Sequence, residues 1–217
     1  MTFVPIGIPW RNLKEAMAFF AWSIILLFLI YEQRFKLAVT GAFVVPIALV
    51  LMIFAATLDK TVNPLPPALQ SHWLGLHTSV SFLGYAAFVI TFACGLMYLI
   101  QERQLKLKRL GAIFHRLPPL DVMDTISYRA LSIGWPLFTL GMITGSIWAE
   151  SAWGTYWGWQ PKETASLLVW VLYLAVLHLR TIGWRGRKMA WLSIAGFLFV
   201  LVSFFVVSRI GVGKHTF

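Results

Sequence analysis

The chain has 217 residues, of which 59% are hydrophobic and only 12% charged, and its mean hydropathy is +0.76. Soluble domains contain about 25% charged residues, so this composition excludes an ordinary soluble protein. The formal net charge of +10 does not call for nucleic acid as a partner, because a basic surface facing the anionic lipid of a bilayer accounts for it.

Six apolar runs approach or exceed the roughly 20 residues that a helix needs to cross a bilayer. They cover residues 16–30, 37–57, 76–100, 127–148, 165–179 and 189–208. Glycines and prolines within them are tolerated, because neighbouring helices can satisfy the backbone groups that a kink releases. We therefore predict an all-α, polytopic transmembrane helical bundle of about six spans, with residues 1–217 forming a single membrane-embedded domain.

Lysine and arginine are unequally shared between the two sides of this bundle. The connections after the first, third and fifth runs hold eleven of them, the opposite side holds six, and Arg129 lies at a boundary. By the positive-inside rule the richer side is cytoplasmic. Both termini and the loop at 149–164 then face the outer, periplasmic side of an inner or plasma membrane. No cleavable signal peptide is evident, so the first run is expected to be retained.

The segment AESAWGTYWGWQPKETASLL, residues 149–168, crowds four aromatic rings into seven residues: Trp153, Tyr156, Trp157 and Trp159. Of the five histidines, His72, His77 and His215 belong to the same side of the membrane. Imidazole is a good iron ligand and a flat apolar macrocycle suits aromatic walls, so this side could bind haem. The alternative is an interfacial aromatic belt with solvated histidines. Spacing alone does not separate the two.

His72 and His77 are not expected to share one iron. Five residues at about 100° each place them roughly 140° apart around a helix. At most one of them is an axial ligand.

The stretch WGTYWGWQPKETASLLVWVLYLAVLHLR resembles the tryptophan-rich signature of the cytochrome c assembly family, whose members share a WWD domain. Three other stretches resemble the CcsA branch of that family: LQSHWLGLHTSVSFLGYAAF, LHLRTIGWRGRKMAWLS and RIGVGKHTF. They occur in the family's order and cover about residues 69–217. The CcmC and HemX proteins are further relatives.

The resemblance implies a role for each matching residue. His77 and His215 correspond to the external axial ligands of a haem b, and His178 to a histidine within the membrane that belongs to a second, inner haem position. The tryptophan shelf corresponds to Trp153, Gly154, Tyr156, Trp157 and Trp159. By helix rise, His178 lies about 25 Å from Pro161, too far to reach the outer haem.

The function implied is haem transport and presentation during cytochrome c maturation. The implied partners are a CcsB/ResB-like membrane subunit, which supplies the other inner histidine, and an apocytochrome c with a C-x-x-C-H segment. Whether the chain is part of a haem lyase stays open, since no residue suits a general acid or base. The alternatives are CcmC-like delivery to a haem chaperone, HemX-like regulation of haem biosynthesis, and a membrane subunit without haem.

The sequence departs from the family pattern at two places. Gln160 stands where the signature has aspartate, directly before Pro161 and three residues before Glu163. We interpret residue 160 as a helix N-cap, where replacing aspartate costs about 1 kcal/mol. The alternative is that the family's aspartate contacts haem or substrate, in which case Gln160 would alter activity. Members of the CcsA branch also have further helices, and this sequence stops soon after His215, so we expect the outer haem face to be either more open or covered by a partner subunit.

Overall fold

The computed structural model describes residues 12–58, 71–108 and 111–210. They form helices and no strand: α1 (Leu13–Phe35), a 3-10 turn (Ala38–Thr40), α2 (Gly41–Thr57), α3 (His72–Lys106), α4 (Ala112–Arg116), α5 (Leu120–Trp153), α6 (Pro161–Thr181) and α7 (Arg187–Ile210). The predicted all-α class is confirmed for this part of the chain.

Five helical segments of the described part are long and apolar enough to cross a membrane: Leu13–Phe35, Ala38–Thr57, His72–Lys106, Leu120–Trp153 and Pro161–Thr181. They coincide with the first five predicted runs and confirm a multi-pass membrane protein. The sixth run lies within α7, a helix of 24 residues. Its crossing of the membrane, the sidedness of the termini and the single-domain assignment stay predictions.

Helix α3 is the most deeply buried of these five segments. It packs along α5 and also contacts α1 and α7. Helix α6 packs against α5 and α7, and α2 packs mainly against α1. Because α3 and α5 run in opposite directions, the start of α3 and the end of α5 lie at the same end of the bundle as the tryptophan-rich loop. We call this the tryptophan end.

Small residues let α3 and α5 approach closely. A Cβ atom added to Gly84 of α3 would lie 2.9 Å from the backbone nitrogen of Phe138, and one added to Gly134 of α5 would lie 2.7 Å from the Cβ of Ala87. Inside a membrane, helices associate chiefly through such close packing, since lipid is as apolar as their side chains. These contacts fix how far α3 is shifted along α5.

Polar side chains join α5 to α6 in the middle of the bundle. The indole nitrogen of Trp170 donates to the Thr139 hydroxyl at 2.8 Å, and that of Trp135 donates to the carbonyl of Trp170 at 3.2 Å. Both indole N–H groups are thereby satisfied away from water, where an unmade hydrogen bond is costly. The middle of α6 is thus held beside the middle of α5.

Candidate functional site

His77 lies in the second turn of α3, at the tryptophan end, and its side chain is partly exposed. Its Nδ1 atom lies 2.7 Å from the carbonyl oxygen of Gly141 in α5. Since a carbonyl oxygen only accepts hydrogen bonds, Nδ1–H is the donor. The histidine is therefore anchored to the facing helix through one ring nitrogen.

Trp148 connects His77 to the tryptophan-rich segment. The rings of His77 and Trp148 are nearly parallel, 15° apart, with centroids at 6.4 Å. Trp148 in turn meets Trp153 edge to face, with centroids at 4.8 Å. The imidazole, a buried indole and the last indole of α5 thus form one continuous aromatic series.

Helix α5 ends at Trp153 because Gly154 adopts a left-handed backbone conformation. Its φ is 74°, and its N–H donates to the carbonyl of Glu150 at 2.7 Å. Glycine takes this conformation without the strain that a Cβ atom would bring, and such C-caps commonly end helices. Gly154 was predicted to belong to the tryptophan shelf. The structure shows its conformational role, and its contact with a cofactor stays a prediction.

The loop between α5 and α6 presents the remaining aromatic rings. Tyr156 and Trp159 are 61% and 69% exposed. Trp157 meets Trp159 edge to face, with centroids at 5.9 Å. The Trp157 indole nitrogen is buried and has no hydrogen-bond acceptor among the described residues. The loop therefore offers exposed apolar rings together with one unused donor, a combination that suits an apolar ligand bearing an acceptor group.

A capping box fixes where α6 begins. The Glu163 carboxylate accepts from the N–H of Gln160 at 3.1 Å and from that of Gly158 at 2.8 Å, and the Gln160 side chain reaches the backbone of Glu163 in return. Pro161 is the first residue of the helix. The prediction that residue 160 is the N-cap is confirmed, and the box explains how glutamine serves there in place of aspartate.

The three other histidines that the structure describes, His72, His115 and His178, do not join this cluster. His178 is exposed on α6, and by helix rise it lies about 25 Å from Pro161. Because its side chain is exposed, His178 is not a packed core residue. His72 is exposed at the start of α3, and His115 is exposed on α4. His215 lies outside the described residues, so its predicted pairing with His77 stays a prediction.

Sequence reasoning missed the residues of α5 that surround His77. Besides Gly141 and Trp148, they include Gly145, where an added Cβ atom would lie 2.6 Å from the Nδ1 of His77. Ser81 of α3 lies next to the same ring, with its hydroxyl 3.5 Å from Nδ1. The available signal was the helical spacing of residues 141, 145 and 148, which places them on one face.

The described residues contain no group of three or more histidine, cysteine or acidic side chains arranged to hold a metal ion. A haem iron does not require such a group, because the porphyrin supplies four ligands and the protein supplies only the axial ones. The His77 imidazole, the flanking indoles and the unused Trp157 donor therefore fit a haem better than a bare metal ion.

Comparison with known proteins identifies the family. The family model described as cytochrome C assembly protein matches residues 10–215. The cytochrome c biogenesis protein CcsA of Prochlorococcus marinus strain MIT 9301 is 36% identical, over 96% of this chain and 75% of the relative. The proteins of the same name from Crocosphaera subtropica and Chlamydomonas reinhardtii are 34% and 37% identical. These alignments cover 96% of this chain in both cases, and 79% and 60% of the respective relatives. The chain belongs to the cytochrome c assembly protein family.

Proposed function

We propose that the tryptophan end of this protein holds haem b and presents it for attachment to apocytochrome c. The observation that most directly supports this proposal is the position of His77. Its ring donates a hydrogen bond through Nδ1 to the Gly141 carbonyl and lies nearly parallel to the ring of Trp148. This arrangement leaves the second imidazole nitrogen for an axial bond. Membership of the cytochrome c assembly family supplies the class of cofactor.

The aromatic residues provide the apolar part of the site. Trp153 continues the ring series from His77, and the exposed rings of Tyr156 and Trp159 offer surface to a macrocycle. The buried Trp157 N–H can donate to a carboxylate, a group that haem carries on its propionates. Gly154, at the bend between the helix and the loop, completes the proposed shelf.

We propose that His215 would hold the haem iron together with His77. Held by these two histidines, the iron would be protected from side reactions. Haem supplies the vinyl groups to which the two thiols of a C-x-x-C-H segment add. The residues of this chain bind and orient the haem, and we assign none of them as a general acid or base. Rate enhancement then comes from positioning two reactants.

His178 is proposed to take part in an inner haem position. An ionisable side chain inside a membrane span is by default a candidate functional residue, and His178 is exposed on α6. Its imidazole is therefore available to a neighbouring subunit. We propose a CcsB/ResB-like protein as that subunit, contributing the other inner histidine, and the inner or plasma membrane as the location.

Absorption spectra of the detergent-purified protein test the outer site. The wild type is expected to carry haem with a six-coordinate, low-spin spectrum, and His77→Ala or His215→Ala is expected to weaken that signal. Added imidazole should partly restore it by occupying the vacated position. His72→Ala is the matched control, since His72 is exposed on the same helix five residues earlier. Unchanged haem spectra in both ligand variants would exclude the assignment.

A second measurement separates haem attachment from haem delivery. Covalent haem on a co-expressed C-x-x-C-H cytochrome is scored by its thioether spectrum, with wild type or His77→Ala as the only copy. Loss of attached haem in His77→Ala supports the proposed presentation to apocytochrome c. Haem-loaded protein that transfers haem only non-covalently would favour CcmC-like delivery. Changed haem synthesis without bound haem would favour HemX-like regulation.

A further inference from the structure

We propose that the backbone at Gly141 and Gly145 of α5 selects the tautomer and the orientation of His77, so that Nε2 alone is presented to the iron. Both residues would then be positioning residues for the axial ligand. The inference rests on the proposed haem function for the identity of the ligand, and on the geometry of α3 and α5 for the orientation of the ring.

The Gly141 carbonyl determines which ring nitrogen carries the hydrogen. It lies 2.7 Å from Nδ1 and can only accept, so a neutral His77 has its hydrogen on Nδ1 and its lone pair on Nε2. The Thr144 hydroxyl lies 3.0 Å from the same carbonyl, but its single hydrogen has a nearer acceptor in the Leu140 carbonyl at 2.8 Å. The Ser81 hydroxyl is farther from Nδ1, at 3.5 Å. The backbone acceptor therefore provides the closer anchor.

Gly145 provides the space that this hydrogen bond requires. A Cβ atom at position 145 would lie 2.6 Å from Nδ1 and 2.7 Å from Cε1 of His77. Such distances are shorter than real Cβ contacts, so the ring would have to move. Gly145 lies inside the regular helix α5 and is not among the glycines with positive φ. Glycine is therefore needed here for clearance and not for a special backbone conformation.

Trp148 limits the remaining freedom of the imidazole. Its ring is within 15° of parallel to that of His77, and it lies three residues after Gly145. Residues 141, 145 and 148 share one face of α5. Helix α5 thus supplies the hydrogen-bond acceptor, the space for the imidazole at Gly145 and the aromatic neighbour. Helix α3 supplies the ligand itself. Such outer partners fix ligand orientation and increase ligand basicity in metalloproteins.

The tautomer can be measured in haem-free protein. Histidine labelled with ¹³C and ¹⁵N is incorporated into the detergent-purified chain, and the His77 signals are identified by their loss in His77→Ala. The wild type is expected to show the tautomer with hydrogen on Nδ1. Gly145→Ala is expected to give a mixture of tautomers or the Nε2–H form, because the ring is displaced from the Gly141 carbonyl.

Gly134→Ala is the matched control. It adds the same methyl group to the same helix, also facing α3, with its Cβ 2.7 Å from that of Ala87. It lies eleven residues from Gly145, about 16 Å along the helix. General loosening of the α3–α5 pair would affect both variants alike. The proposal instead requires an altered His77 tautomer in Gly145→Ala and an unchanged one in Gly134→Ala.

Titration with haem provides the second readout. Gly145→Ala is expected to bind haem about 10–100-fold more weakly than wild type, the usual effect of losing an outer partner of a metal ligand. Free imidazole should restore part of the low-spin spectrum. Trp148→Leu is a further variant, which removes the aromatic ring beside His77 without adding volume against α3. It should weaken haem binding while the hydrogen stays on Nδ1.

An Nε2–H tautomer in the wild type, or an unchanged tautomer and unchanged haem affinity in Gly145→Ala, would overturn the inference. A third result would separate the two proposals. If the haem-free protein shows the expected tautomer and its dependence on Gly145, the proposed positioning of His77 is supported. If that protein also binds no haem at any concentration, the proposed function is overturned.

Discussion

Arg180 and Asp124 form an ion pair, with Nη1 of the arginine 2.6 Å from Oδ2 of the aspartate, at the end of the bundle opposite the tryptophan end. Their side chains are only 8% and 13% exposed. The other aspartate oxygen accepts from the N–H of Gly186 at 2.9 Å, and the guanidinium lies 5.1 Å from the ring centroid of Tyr128. The pair therefore ties the start of α5 to the end of α6 and to the turn before α7.

Asp124→Ala is expected to lower the free energy of unfolding by about 3–5 kcal/mol, because removing one partner leaves a largely buried charge uncompensated. Equilibrium unfolding in detergent measures the change. Lys106→Ala is the control, since it breaks the pair with Glu102 in which the lysine is 57% exposed. Such exposed pairs contribute at most about 1 kcal/mol. Equal losses in the two variants would contradict this account of the buried pair.

Gly84→Ala should destabilise the bundle by about 1–3 kcal/mol, the usual cost of overpacking a well-packed contact. The added Cβ would lie 2.9 Å from the backbone nitrogen of Phe138, which cannot move without shifting α5. Gly111→Ala is the control, because no atom lies within 4 Å of its added Cβ. Thermal unfolding of both variants checks the prediction, and an unfolding temperature unchanged by Gly84→Ala would refute it.

Gln160→Asp should raise local helix stability by about 0.5–2 kcal/mol, since aspartate is a stronger N-cap than glutamine. Haem content should stay nearly the same, because the capping box with Glu163 already accounts for the role of residue 160. Hydrogen exchange in the first turn of α6, measured together with haem content, tests both statements. A large gain in haem attachment at constant stability and haem content would show that residue 160 acts in the chemistry.

His178→Ala should leave stability within about 0.5 kcal/mol of wild type, as is usual for exposed positions away from specialised contacts. We expect a selective loss of haem transit: haem made inside the cell should no longer reach the outer site, whereas haem supplied from outside should bind almost normally. Haem content is compared after the two kinds of supply. If His178→Ala carries as much haem from internal synthesis as the wild type, His178 has no part in haem transit.

The apolar runs located the membrane helices but not their ends. The first run, residues 16–30, lies within α1 (Leu13–Phe35), which begins earlier because the Asn12 side chain accepts from the Glu15 N–H at 2.9 Å. It also ends later, where the C-cap residue Lys36 adopts a left-handed conformation. Polar residues continue these helices beyond the bilayer core, so hydropathy underestimates their length. The short helix α4 (Ala112–Arg116) was missed, because five residues are too few to show a helical period.

Local chemistry predicted one end of a helix correctly. Pro161 and Glu163 marked the start of α6, and the structure has proline as its first residue with a capping box across Gln160. Capping depends on residues only a few positions apart, so it can be read from the chain. The contact of His77 with Gly141 joins residues 64 positions apart and cannot be read in this way.

Hydropathy and capping residues alone predict a multi-pass helical protein with an aromatic loop before α6, because both signals depend on residues within one turn or one span. Which residues contact His77 depends instead on how α3 packs against α5. Helices in a membrane are apolar on all sides, so their sequences do not show which face meets a neighbour. Close packing at Gly84 and Gly134 fixes the register of α3 against α5. That register places Gly145, which has no side chain, directly against the His77 ring.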